Sequence, residues 1–224
     1  MMGAFKTFIR VILTKLFGKP FSSPALTKIL TGSTMISFDV FDTLIIRPSL
    51  KTPSDLFDLL HPGDSAYKSR RIAAERQARD ASHLEDIKLF DIYELLYDNP
   101  RERQEAINLE IATELSACKA NPEALEFFKV VKQEGKRLII VSDMYLDSST
   151  IEEILKNCGY DLADVPIYVS SEYGKTKRSG NLFRTVLEHE EVEAGKVLHI
   201  GDDLISDYLM PKKCGMKSFL YRRA

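Results

Sequence analysis

Five short apolar runs, over residues 35–40, 137–142, 166–170, 197–201 and 217–221, most limit what this 224-residue chain can fold into. Each is apolar almost throughout, the pattern of strands buried on both faces of a sheet. From the second run onward the intervals hold single helical patterns, over 122–134, 148–157 and 180–189. Strands alternating with helices imply a parallel sheet covered on both sides. The expected fold is therefore α/β, with a central parallel sheet of about five strands.

The interval between the first and second runs is different. Residues 49–120 hold helical patterns over 53–60, 66–82, 89–97 and 101–118 and no convincing strand. That is too much for one crossover helix. It reads as an all-helical cap inserted into a core made of residues 33–48 and 121–224. Emerging where the first strand ends, such a cap would overhang that end and act as a lid that excludes water.

Composition narrows the class of protein. Apolar residues make up 44% and charged residues 29%, ordinary for a soluble globular chain. No apolar run is long enough to span a bilayer, and a formal net charge of −2 gives no general bias toward nucleic acid. Cys118, Cys158 and Cys214 are odd in number and widely spaced, which fits a reducing cytoplasm better than a disulfide framework.

The charge is uneven. Residues 1–38 contain Lys6, Arg10, Lys15, Lys19 and Lys28 and no Asp or Glu, which gives +5 there and leaves −7 on the remainder. Within residues 1–20, Phe5, Phe8, Ile9, Ile12, Leu16 and Phe17 recur at helical spacing opposite Lys6, Arg10 and Thr14. The favoured role for this basic amphipathic helix is packing on the domain or on a second subunit, since helical stripes are usually core. The other role is peripheral contact with an anionic membrane surface. Pro20-Phe21-Ser22-Ser23-Pro24 ends the helix and reads as a hinge.

Two of the strand-like runs end in acid. Ile36-Ser37-Phe38-Asp39-Val40-Phe41-Asp42-Thr43-Leu44 closes the first, and Gly201-Asp202-Asp203, followed by Asp207, closes the fourth. Ligands of open α/β sheets bind outside the carboxyl ends of the strands. An ionised Asp39 there can attack a phosphorus centre or bind a metal. Asp202, Asp203 and Asp207 place up to three carboxylates in one turn opening a helix, which suits a hard divalent cation. Each feature alone has a plainer meaning, because strand-end Asp and Ser commonly cap helices and acids favour helix N-termini. Ser142 ends the second run, and Lys177 lies in Gly174-Lys175-Thr176-Lys177-Arg178-Ser179-Gly180, just before a helix. A lysine so placed can hold a phosphate and neutralise charge on a nucleophile.

Taken in order, these residues resemble the haloacid dehalogenase (HAD) superfamily, most of whose members are magnesium-dependent phosphohydrolases. The resemblance covers about residues 35–222. It implies a Rossmann-like core, with the helical insertion as the first-position cap that confers substrate choice. It further implies that Asp39 is the nucleophile forming a phospho-aspartyl intermediate and that Ser142 binds the transferring phosphoryl group. Lys177 then answers to the third-motif lysine, with Lys175 as the fallback register, and the expected phosphate-binding residues are Ser142, Asp143 and Lys177. The implied Mg2+ ligands are Asp39, the backbone carbonyl of Phe41, and Asp202 with Asp203 or Asp207. The Phe38–Leu44 and Val141–Leu146 segments also resemble predicted hydrolases found alone or fused to glycosyltransferases, which points to a polysaccharide-assembly pathway partner.

One position departs from the family's usual Asp-x-Asp-Gly-Thr. The second aspartate, the general acid, is replaced by Phe41, and an acid comes one later at Asp42. On an extended chain Phe41 would share the side of Asp39 and Asp42 would point away; a sharp family turn would re-aim Asp42 into the site. Loss of a general acid typically lowers rates by about 10²–10⁴-fold for poor leaving groups.

The expected function is hydrolysis of a small phosphorylated metabolite through Asp39, with Asp42, Ser142 and Lys177 completing the catalytic set. The alternatives are a catalytically weak phosphate- and magnesium-binding regulatory module and a carbon–halogen hydrolase, a reaction for which an aromatic at position 41 is also familiar. Three further expectations concern packing. His199, inside a strand, reads as packed rather than catalytic. Tyr145 and Asp143 either line the pocket or cap the next helix. Arg71, Glu75 and Arg79, four apart, read first as a surface ion-pair ladder and second as a cap arginine reaching an anionic substrate group.

Overall fold

The structure is a computed structural model that describes residues 16–222, so the expected N-terminal helix over residues 1–20 lies outside the described residues except for its last positions. In chain order come α1 (Pro24–Thr31), β1 (Met35–Phe38), β2 (Ile45–Ile46), α2 (Leu56–Leu60), α3 (Ser65–Ala81), α4 (Leu89–Glu94) and α5 (Pro100–Ala117). Next come β3 (Lys119–Ala120), α6 (Pro122–Gln133), β4 (Arg137–Ser142), α7 (Ser148–Asn157), β5 (Ile167–Val169), α8 (Ser170–Tyr173), α9 (Asn181–His189), β6 (Val197–Gly201), α10 (Met210–Lys213) and β7 (Lys217–Leu220).

The main sheet has five parallel strands in the order β5-β4-β1-β6-β7. Side chains alternate between its faces. Ile36, Phe38, Leu138, Ile140, Leu198 and Ile200 enter one core, while Met35, Ile139, Val141 and Val197 enter a second core closed by Leu182, Phe183 and Val186 of α9. This double burial is why the strands read as unbroken apolar runs. The chain leaves β1 on both sides, toward β4 and, later in sequence, toward β6. The crevice between the carboxyl ends of β1 and β6 is therefore the topological switch point.

β1 ends at Phe38, short of the expected residue 40, because the chain turns at once. The N–H groups of Thr43, Leu44 and Ile45 converge on the carbonyl of Val40 at 3.3, 2.9 and 3.0 Å. Asp42 sits inside this turn with φ 59°, a left-handed conformation that Asp tolerates better than most side chains.

The insertion holds α2 to α5 and joins the core through a short antiparallel ribbon, Ile45–Ile46 against Lys119–Ala120. The second ribbon strand falls inside a stretch expected to be purely helical; two residues are too few to carry a strand pattern in sequence. The loop before α4 adds another attachment. Glu85 accepts from the N–H of Thr176 at 2.8 Å and from its hydroxyl at 3.2 Å, as well as from Ser179 and Asn181. The N–H of Leu89 donates to the carbonyl of Tyr145 at 2.9 Å.

The Arg71–Glu75–Arg79 ladder exists, but it reaches the surface only at its Arg79 end. Arg71 is fully buried. Its Nε and Nη2 each donate to Glu110 at 2.8 Å, and its Nη1 donates to Glu75 at 3.2 Å. Tyr93 donates to the same Glu110 at 2.6 Å, and the guanidinium lies 4.6 Å from the ring centroid of Phe57. Arg71 thus joins α3 to α5 inside the cap and is not directed at a substrate. Removing one partner of a buried ion pair leaves a stranded charge and typically costs about 3–5 kcal/mol. Arg71→Ala is therefore expected to lower unfolding free energy by about that amount in urea titrations, and Glu110→Gln, which keeps a hydrogen-bond acceptor, by less.

Candidate active site

Three strand ends and one loop build the site. Asp39 follows β1, Ser142 ends β4, Asp202 follows β6, and Lys177 reaches in from the turn before α9. The Lys177 ammonium is buried between two carboxylates. It contacts Asp39 Oδ1 and donates to Asp207 Oδ1 at 2.7 Å. Burial lowers its pKa, but Asp207, Asp39 and Asp143 together outweigh this and hold it above the ordinary lysine value.

Asp39 is buried, and its second oxygen accepts from the Thr43 hydroxyl at 3.1 Å. Burial pushes its pKa up to about 7 against the pull of Lys177, with the Asp207 charge adding to the rise. Asp202 is raised well above the carboxylate range by burial, then by the charges of Asp39, Asp207 and Asp42. Burial raises Asp207 as well, but Lys177 and His199 outweigh it and hold the net value below normal.

Asp207 is the most heavily bonded acid. Besides Lys177, its Oδ1 meets His199 Nε2 at 3.1 Å, and its Oδ2 accepts from the N–H of Asp203 at 2.9 Å. His199 Nδ1 in turn meets the Ser37 hydroxyl at 2.8 Å. Ser37 and His199 are register partners on β1 and β6, and the imidazole packs against the Phe183 ring at 4.8 Å. The expectation of a packed histidine holds. The missed feature is that His199 is also the hydrogen-bond partner of Asp207. A polar residue inside each of two otherwise apolar strands was the available signal.

Asp39, Asp202 and Asp207 each offer an oxygen within 4.8 Å of the others. These are hard donors of the kind a divalent cation takes, and the charges of Asp39, Asp207 and Asp42 add to the burial that raises Asp202. The residues present therefore fit a magnesium ion.

Two expected ligands are placed otherwise. Asp203 Oδ1 accepts from the N–H groups of Ile205 and Ser206 at 3.0 and 2.8 Å, capping the helical turn over Leu204–Leu209, so it lies outside the three-carboxylate cluster. Asp143 turns its carboxylate onto the Lys177 loop, accepting from the N–H of Lys177 at 2.7 Å and of Arg178 at 3.3 Å. It positions that loop. It does not cap α7, whose N-cap is Asp147.

The sharp turn after Val40 replaces the extended geometry assumed for Phe41 and Asp42. Asp42 is exposed and the Phe41 ring is half-buried, with the Arg47 guanidinium 4.8 Å from the ring centroid. Both line a cleft of about 670 Å³ between core and cap, together with Asp143 and Tyr145 below and Glu75 and Arg76 above. Ser142 is buried at its strand end.

The candidate site is thus a strand-end aspartate clamped by a buried lysine, beside further acids at a switch point beneath the helical insertion. The haloacid dehalogenase-like hydrolase family model matches residues 34–215, and the chain belongs to this family. Among solved structures, the fold is similar to a 2-haloacid dehalogenase from Pseudomonas syringae pv. tomato, with TM-score 0.62 and 15% identity over 84% of this chain and 86% of that one. It is similar to the HAD-hydrolase YfnB from Bacillus subtilis bound to magnesium, with TM-score 0.59 and 19% identity over 83% and 87%. A haloacid dehalogenase-like family hydrolase from Xanthomonas campestris matches with TM-score 0.58 and 16% identity over 86% of each chain. Among curated proteins, none matches the chain. Among the described residues, no helix is long and apolar enough to cross a membrane.

Gly201 leaves the room that Asp207 occupies. A Cβ at position 201 would lie 2.6 Å from the Asp207 Cβ, and Asp207 is held on both oxygens. Gly201→Ala is expected to destabilise the protein by about 1–3 kcal/mol, the usual range for overpacking, seen as a lowered midpoint in thermal or urea denaturation.

Proposed function

We propose that the protein is a magnesium-dependent phosphohydrolase that transfers a phosphoryl group to water through Asp39. The observation that carries this reading is the charge balance at the switch point. Asp39, Asp202 and Asp207 converge there, and Lys177 is the ammonium buried among them. Such a site is costly to assemble for chemistry without a metal.

In this reading an Asp39 oxygen attacks phosphorus in line while the bond to the leaving oxygen breaks. Water then attacks the aspartyl phosphate, releasing orthophosphate and restoring Asp39. Thr43 and Lys177 hold the two Asp39 oxygens in place, and the Ser142 hydroxyl is the group assigned to the phosphoryl oxygens. Asp39, Asp202 and the backbone carbonyl of Phe41 would hold magnesium, with Asp207 behind them; when bound, the ion offsets the repulsion between an anionic nucleophile and an anionic phosphoryl group. Hydrolysis of an aryl phosphate is expected to require added magnesium and to fall by about 10³-fold or more in Asp39→Asn. Turnover that survives chelation, or survives in that variant, counts against the proposal. Magnesium-dependent binding of a phosphate mimic without any turnover supports the regulatory-module reading instead.

Phe41 shapes substrate choice. Without a proton donor at this position, alkyl monoesters should react poorly compared with aryl or acyl phosphates. Phe41→Asp is expected to raise kcat/KM for an alkyl phosphate relative to an aryl phosphate by about 10-fold or more. Equal effects on both would count against this role for position 41.

A second reading, carbon–halogen hydrolysis, draws support from the aromatic residue at position 41 and from the likeness in fold to haloacid dehalogenases. It predicts chelator-insensitive halide release from a 2-haloacid, lost in Asp39→Asn.

A further inference from the structure

We propose that a lysine-rich groove beside the edge strand β7, away from the catalytic cleft, docks the protein on an anionic phospholipid surface. The groove measures about 500 Å³, and Lys19, Lys28, Lys212 and Lys217 line it together with the apolar Ile29 and Phe219. No Asp or Glu lines it, and none of these lysines forms a salt bridge among the described residues. Lys217 spends hydrogen bonds on the carbonyl of Gly32 and the hydroxyl of Ser33, and Lys212 lies 3.7 Å from the Tyr208 ring centroid. Both hold their charge at the rim without neutralising it.

At the edge of the groove the chain presents two large apolar side chains to solvent, Leu16 at 69% and Phe17 at 63% exposure. Backbone pairing at the neighbouring Lys19 anchors them. The N–H of Lys19 donates to the Leu220 carbonyl at 3.0 Å, and the N–H of Arg222 donates to the Lys19 carbonyl at 3.0 Å, tying this strip to the end of β7. Exposed apolar side chains beside lysines match a headgroup layer, where the apolar groups enter the acyl boundary and the ammonium groups meet phosphates.

Charge decides between this partner and the nearest alternative. Residues 1–15 precede the groove directly and carry Lys6, Arg10 and Lys15 with no acid. Folded into the groove, that segment would add cations to a site already lined by lysines. On an anionic surface the same charges add to the attraction. The proposal thus reverses the favoured reading of the N-terminal segment as a packed one.

The test is flotation of the full-length protein with vesicles of phosphatidylcholine alone or containing about 30% phosphatidylglycerol, at about 0.1 M and 0.5 M salt. The expected result is at least about tenfold stronger partition onto the anionic vesicles, weakened by salt and lost by about tenfold or more in Lys19→Glu/Lys28→Glu. Phe17→Ser, at an exposed site, should also weaken partition while leaving the melting temperature unchanged. Equal partition onto both vesicles, or binding unaltered by these substitutions, overturns the proposal. So does flotation with neither vesicle, the result expected if residues 1–15 or a second copy fill the groove; a dimer in gel filtration that Phe17→Ser dissociates would identify the second copy. None of these outcomes depends on the reaction at Asp39.

Discussion

The Lys177 ammonium, buried between Asp39 and Asp207, is the interaction on which the site rests. A lysine so deeply enclosed keeps its proton only because carboxylates surround it. Those carboxylates keep their places because the lysine is there. The backbone is arranged to hold this balance. Asp143 grips the lysine's loop through two N–H groups, Glu85 of the cap grips neighbouring residues of the same loop, and Gly201 yields the space that Asp207 fills. Beside them Asp202 is raised by its burial first and by the charges of Asp39, Asp207 and Asp42 second.

The cap has its own internal anchor of the same physical kind. Arg71 and Glu110 are both buried and bidentate, and Tyr93 and Glu75 satisfy the hydrogen bonds left over. A buried pair is weak evidence of stability in itself, since desolvation offsets most of the attraction. What it does here is tie α3 to α5 at one fixed packing, and the ring of Tyr145 from the core lies 5.0 Å from the same guanidinium. Core and cap therefore meet through Arg71 below and through Glu85 at the side, the latter on the loop that carries Lys177.

Much of the fold was legible because a parallel sheet buried on both faces leaves unbroken apolar runs. The five core strands fall where those runs are, and α7 spans the expected residues. Asp39, Lys177, Asp202 and Asp207 were legible because chemistry and topology both call for charged groups at strand ends. The ribbon strand β3 was not, because two residues carry no periodicity. The burial of Arg71 was hidden because four-residue spacing shows that side chains share a helix face without showing what that face meets. Where the carboxylates of Asp203 and Asp143 point was hidden as well: Asp203 accepts from the N–H groups of Ile205 and Ser206 close by, and Asp143 from those of Lys177 and Arg178, far along the chain.

The sequence by itself determined the α/β core, the inserted helical cap and the membership of the acids, because hydrophobic period and motif order are one-dimensional properties. Only the tertiary structure decided where those acids point. Val40 collects the N–H groups of the turn and swings Asp42 to the cleft mouth, and β1 and β6 pair so that Ser37 meets His199 and His199 meets Asp207. Orientation and register come from contacts between segments far apart in the chain, and no local pattern encodes them.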